Sequence, residues 1–274
     1  MKLEELEGLT VYILESLRPG DIHTGENLRD ELRQYWYDIK SEMFKYEYYN
    51  IDDKDAFSSV LNNIQLQIKN SNRLPIIQIE CHGWQKGLEL GSGEYVDWRE
   101  LFDKLRPINN ECYNLLLLNL SMCNGESVIS YIDPTQRAPF RAVTGPIGKA
   151  YPESLQSSWM IFYKGYISSF KKDYGLCKLA QKAGLLYFTQ EFIFDAYFDL
   201  ANKDPELFNH FRNKELAEMY EAKEPLYMDP NMYRTYVAEK QAKIKKRYKP
   251  YFCFDDYKPL HKAAYNGAIY GNKK

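Results

Sequence analysis

Two near-continuous apolar runs constrain this chain more than any other feature. Leu74-Pro75-Ile76-Ile77-Gln78-Ile79-Glu80-Cys81 leads into His82-Gly83, and Leu115-Leu116-Leu117-Leu118-Asn119-Leu120-Ser121-Met122 leads into Cys123-Asn124-Gly125. A strand with one wet face alternates apolar and polar residues, whereas a strand covered on both faces reads as an unbroken apolar run. Both runs therefore predict buried strands of a parallel sheet. In an open α/β sheet, ligands gather at the carboxyl ends of such strands, which is where His82 and Cys123 fall.

The rest of the chain supplies matching partners. Thr10 to Leu17 has the β-branched and aromatic content of a strand, and Arg18-Pro19-Gly20-Asp21 after it is turn chemistry. A helix is expected from about Glu26 to Tyr37, capped near Thr24, then a strand over Phe44 to Ile51. Phe57, Val60, Leu61, Ile64 and Ile68 recur at helical spacing between Asp55 and Ile68. Asp97 to Leu105 is a helix between the two apolar runs, and Phe140 to Val143 is a further strand closed by Gly145-Pro146. Strands alternating with helices give βαβ units, hence an α/β fold with a mostly parallel central sheet and helices on both faces. From Tyr151 the pattern turns helical. Residues 1–150 are thus read as the core and 151–274 as a mainly helical part packed on it.

Composition narrows the function classes. With 45% hydrophobic and 27% charged residues, the chain reads as an ordinary globular protein, and no stretch is apolar enough to span a bilayer. The acidic start Met1-Lys2-Leu3-Glu4-Glu5 is unlike a secretory leader, so a cytoplasmic location and no membrane partner are expected. A formal net charge of -2 gives no electrostatic reason to expect nucleic acid. The five cysteines, at 81, 112, 123, 177 and 253, have neither zinc-site spacing nor the density of a disulfide scaffold and are read as reduced thiols. No metal and no cofactor are expected. Lys240 to Lys249 is a basic cluster, read as a solvated helical face or a docking patch.

His82-Gly83 at one strand end, followed later by Met122-Cys123-Asn124-Gly125 at another, resembles the caspase-like cysteine peptidases of clan CD, which include caspases, separases and bacterial CHAT-domain proteases. In those enzymes too the histidine precedes the cysteine; papain-like enzymes have the reverse order. The resemblance covers roughly Thr10 to Gly148. Its wording, Ile-Glu-Cys-His-Gly with the later Asp97-Trp98-Arg99-Glu100-Leu101, looks more like the bacterial members. It implies a three-layer α/β/α sandwich and a thiol protease that cuts a protein partner in a bacterial defence or cell-death (antiviral) setting. An activating partner or ligand is implied as well; the oligomeric state is left open. Where caspases have Gln two before the cysteine, this chain has Ser121, so aspartate specificity is not carried over.

Under this resemblance Cys123 is the nucleophile and His82 its acid-base partner, because a thiolate is the reactive form and an adjacent imidazole assists its formation. The backbone N–H groups of Gly83 and Cys123 form the oxyanion hole. Arg18, just past the first strand, and Ser121 are candidate substrate-binding residues, Arg18 by offering a planar fork of donors to an acidic side chain. Glu80 shares a strand face with His82 and either orients it or is a structural carboxylate. Cys81 points to the opposite face, while His23, His210 and His261 lack comparable surroundings. Two other readings stay open at this point: a catalytically silent scaffold or sensor of the same fold, and a nucleotide-binding module. The latter is disfavoured because neither a P-loop nor Gly-x-Gly-x-x-Gly follows the first strand.

Overall fold

The computed structural model describes residues 6–39, 42–169, 175–203 and 229–260. His210 and His261 lie outside them. Strand and helix alternate as β1 (Gly8–Ser16), α1 (Thr24–Ile39), β2 (Phe44–Asn50), α2 (Lys54–Lys69), β3 (Arg73–Trp84), the short strands β4 (Gly87–Glu89) and β5 (Tyr95–Asp97), α3 (Trp98–Glu111) and β6 (Leu117–Ser121). A 3₁₀ segment, Gly125–Tyr131, leads to β7 (Ala142–Gly145). Then come α4 (Pro152–Ser169), α5 (Leu176–Lys182), β8 (Leu186–Thr189), α6 (Gln190–Lys203) and α7 (Pro230–Phe252).

Local chemistry accounts for the boundaries. The Asp53 side chain accepts from the Ala56 N–H at 2.8 Å and starts α2, and Asp97 accepts from Glu100 N–H at 2.9 Å and starts α3. Each fills one of the donor vacancies at a helix start, worth about 1 kcal/mol. α2 buries Phe57, Leu61, Ile64 and Ile68, four residues on one stripe of the helix.

The sheet runs in the order β2-β1-β3-β6-β7-β8. β1, β2, β3, β6 and β7 are parallel, and β8 pairs antiparallel with β7. β4 and β5 form a small antiparallel extension of the far end of β3. One face buries Tyr12, Ile77, Ile79, Leu118 and Leu120 against α2, α3, α6 and α7; the other buries Val11, Ile13, Ile76 and Leu117 against α1, α4 and α5. This is an α/β architecture with a mixed, mostly parallel sheet between helical layers. The connection after β1 lays α1 on one face, whereas those after β2 and β3 lay α2 and α3 on the other. The chain thus changes direction between β1 and β3, the kind of crevice where open α/β sheets bind ligands.

The segment after residue 151 is mainly helical, but it also supplies the edge strand β8, which the sequence reading missed. Leu186-Tyr187-Phe188-Thr189 is too short to show a period. The end of α7 and the turn after it are fastened to the core by Arg137, between the 3₁₀ segment and β7. Its guanidinium is bidentate to Asp256, at 2.9 and 2.6 Å, and lies 4.3 to 5.1 Å from the ring centres of Tyr251, Phe254 and Tyr257. Part of the basic cluster is used in the same way: Lys245 lies over Phe198 and Lys249 pairs with Asp195 at 2.5 Å. Among the described residues, no helix is long and apolar enough to cross a membrane.

Arg137→Ala should destabilise the protein by about 1–2 kcal/mol in chemical denaturation, the scale of a partly desolvated cation–π arrangement. Arg137→Lys should recover less than half of the loss, because an ammonium cannot make the planar double contact.

Candidate functional site

β3 and β6 are adjacent, and their register pairs Glu80 with Ser121. Side chains alternate along a strand, so His82, two residues further along β3, shares the Glu80 face, while Cys123 lies two residues past the end of β6, in the turn that leaves it. The chain leaves β6 through Asn124, held at φ 57°, a left-handed turn that asparagine tolerates better than most residues. The Asn124 N–H then donates to the Gly148 carbonyl at 2.9 Å, which draws the loop after β7 over the cysteine. The Ala150 N–H lies 3.4 Å from Cys123 Sγ and points a donor at the sulfur.

Gly83 shows how close the two strand ends lie. A Cβ placed there would sit 2.0 Å from the Cys123 carbonyl oxygen and 2.8 Å from Met122 Cγ, so only glycine fits. The two proposed oxyanion donors, on Gly83 and Cys123, therefore belong to stretches in direct contact.

His82 Nε2 lies 2.8 Å from Asp21 Oδ2. Asp21 is 32% exposed and His82 41%, so the pair sits at the mouth of the sheet. The hydrogen bond to His82 is the main reason the Asp21 carboxyl lies below its ordinary range, and a bond from the Arg18 N–H at 2.8 Å helps. With Nε2 turned to Asp21, Nδ1 is the ring nitrogen left to face another partner. Asp21 was legible in the sequence only as a turn residue. The one signal that could have found it is its place in the loop after β1, the strand beside β3.

Arg18 is half exposed and its guanidinium pairs with Glu89 of β4, which stands opposite His82 in the hairpin register. Glu89 was not anticipated, because a three-residue strand leaves no periodic trace. Ser121 is buried: its hydroxyl accepts from Trp159 Nε1 at 3.0 Å and hydrogen-bonds Glu80, so a substrate would reach it only if Trp159 moved. Glu80 shares the His82 face, yet its partners are Thr24, Gln78 and Ser121, and the orienting carboxylate is Asp21. Cys81 is buried on the opposite face, where desolvation pushes its thiol far above the ordinary value. All five cysteines are free, and Cys123 is neither fully buried nor fully exposed. His23 hydrogen-bonds the buried Glu15 at 3.1 Å. Behind the Cys123 turn lies a small cavity of about 10 Å³, no larger than a single water site, lined by Leu120, Gly125, Glu126, Thr144, Gly145 and Pro146 among others. The buried Thr144 hydroxyl has no hydrogen-bond partner.

Together these residues offer a partly exposed thiol and an imidazole held by a carboxylate. That set can carry out nucleophilic attack and proton transfer; no cluster able to hold a metal occurs among the described residues. Compared with known proteins, the chain matches no protein-family model and no curated sequence.

Gly83→Ala should push the Cys123 backbone aside, lowering stability by about 1–3 kcal/mol as overpacking does. It should also slow iodoacetamide labelling of Cys123, read on the Cys123 peptide by mass spectrometry. Unchanged stability and labelling would show that the contact is looser than the geometry requires.

Proposed function

We propose that this protein is a cysteine endopeptidase of the caspase-like kind, cutting a protein partner through a His82–Cys123 dyad. The observation that supports the reading is that β3, which bears His82, and β6, which ends two residues before Cys123, are adjacent parallel strands, with Gly83 packed directly on the Cys123 backbone. Asp21 on the far side of the imidazole adds the third member expected when a base is oriented for a nucleophile.

In this mechanism His82 Nδ1 takes the Cys123 proton and the thiolate attacks the scissile carbonyl. The resulting oxyanion is held by the N–H groups of Gly83 and Cys123. As the intermediate collapses, His82 returns the proton to the leaving amine, and water then hydrolyses the thioester by the same route in reverse. A protein substrate, a bacterial defence or cell-death role, a cytoplasmic setting and control by a partner or ligand follow from the resemblance of His82-Gly83 and Met122-Cys123-Asn124-Gly125 to that group. No cofactor enters the chemistry.

A catalytically silent scaffold or sensor of the same fold is the second reading. It is favoured by one feature: Cys123 Sγ already has a partner, the Ala150 N–H. Labelling separates the two, since a thiol that reacts faster than free cysteine at neutral pH supports the enzyme.

Cys123→Ala and His82→Ala should each abolish cleavage of proteome-derived substrates, detected by peptide profiling of the products. The double variant should be little worse than either single one, because the pair acts as a unit. Asp21→Asn should cost on the order of 10-fold or more by loosening the tautomer. Full activity in either dyad variant would end the mechanism.

Specificity gives an independent test. An acidic side chain entering beside Arg18 has to displace Glu89, so Glu89→Gln should raise the preference for an acidic over a neutral residue before the scissile bond several-fold. An unchanged preference would put the pocket elsewhere.

A further inference from the structure

Beneath the dyad lies a buried polar seam that the proposed mechanism leaves unused. Glu15 of β1 and Glu80 of β3 stand at matched register on neighbouring strands, and both are almost fully buried. Glu15 Oε1 accepts from the Gly25 N–H at 2.7 Å and the Glu26 N–H at 3.3 Å, and its Oε2 meets Tyr48 OH at 2.6 Å and His23 Nδ1 at 3.1 Å. Glu80 accepts from Thr24 Oγ1 and Gln78 Nε2, each at 2.7 Å, and from the Ser121 hydroxyl. Gln78 in turn accepts from Tyr163 OH at 2.7 Å, and Ser121 from Trp159, so α4 closes the seam from above. A Cβ on Gly25 would lie 3.0 Å from both Glu15 Oε1 and Glu80 Cγ, which shows how tightly the start of α1 is seated between the two carboxyl groups.

Glu80 thus touches a residue close in the chain to Cys123 and another close to Asp21, and is itself close to His82. Ser121 is two residues before Cys123, Glu80 itself is two before His82, and Thr24 is three after Asp21. We propose that Glu80 is the positioning residue of this site: as a carboxylate it gathers donors from β3, β6 and α1 and so holds Cys123 and the Asp21–His82 pair in reactive register, and on protonation it releases them. The proposal rests on the reading of Cys123 and His82 as the reactive pair, but not on the identity of the substrate.

The charge state is poised for such a role. Burial pushes the Glu80 carboxyl up to about 7, with the charge of Glu15 adding to the rise and the bonds from Ser121, Thr24 and Gln78 opposing it. These bonds come only from donors, so a protonated Glu80 has to turn one hydroxyl round or share its proton with Glu15. The other titratable groups facing the seam are Tyr163 from α4 and Tyr48 and His23 around Glu15; Cys81 lies behind Glu80 on the opposite face of the sheet. The sign follows from linkage. A carboxyl raised in the folded state supports folding fully below its ordinary value near 4.5, and that support is lost as pH rises through about 7. Reactivity and stability should therefore move in opposite directions across neutrality.

The test is iodoacetamide labelling of the full-length protein from pH 5 to 9, read on the Cys123 peptide by mass spectrometry, which needs no substrate. The wild type should show a limb rising near pH 7. Thr24→Val, by removing one donor to the carboxylate, should move that limb to higher pH. Glu80→Gln should abolish the limb and slow labelling at pH 8 about tenfold, while its denaturation midpoint at pH 8 equals or exceeds that of the wild type. A wild-type labelling profile in Glu80→Gln, or slow labelling accompanied by lost stability, would overturn the proposal. If Glu80→Gln does not fold, Thr24→Val decides alone: a shifted limb supports the proposal and an unshifted one ends it. A Glu80-dependent limb in a protein that cleaves nothing would leave the positioning role standing and remove the protease reading.

Discussion

The register between β3 and β6 is the constraint on which the rest of the carboxyl edge depends. Period-2 alternation means that a slip of one residue would turn His82 to the opposite face, where Cys81 now packs against apolar neighbours. The Tyr163 hydroxyl bridges Gln78 of β3 and Asn119 of β6, and Ser121 bonds Glu80, so these pairs hold the register from one side. Gly83 locks it from the end, since the backbone of Cys123 occupies the space of its missing Cβ.

A buried acidic pair is a costly way to build a sheet. Removing a carboxylate from water is offset only by strong hydrogen bonds, and replacing such a group by an apolar one often stabilises a protein. Here the pair is tolerated because the start of α1 supplies backbone donors and the partial positive charge of a helix N-terminus. The helix seated on Glu15 and Glu80 begins three residues after Asp21. Packing of α1 against the sheet and placement of the His82 partner are thus one event.

The C-terminal half does more than cover the sheet. α4 brings Trp159 and Tyr163 onto Ser121, Gln78 and Asn119, β8 completes the sheet beside β7, and the end of α7 is clamped to the loop that follows the Cys123 turn. A ligand acting on that half would have short physical routes to both strand ends.

Most of the α/β framework was legible in the sequence. The apolar runs of β3 and β6 and the stripe of α2 are local signals, and their hydrophobic periods match the elements formed. The short strands β4, β5 and β8 were not legible, since three or four residues carry no period and are ordered only by the neighbour they pair with. His82, Gly83 and Cys123 stood out because each ends or follows a buried strand. Asp21, Glu89 and the Glu15–Glu80 seam did not, because their partners lie 61, 71 and 56 residues away for the His82, Arg18 and Thr24 contacts. The sequence by itself determined which segments are buried strands and which residues they carry to one edge. Only tertiary structure decided which carboxylate meets the histidine and which is sealed beneath it, since a hydrogen bond between distant residues exists only once packing has brought them together.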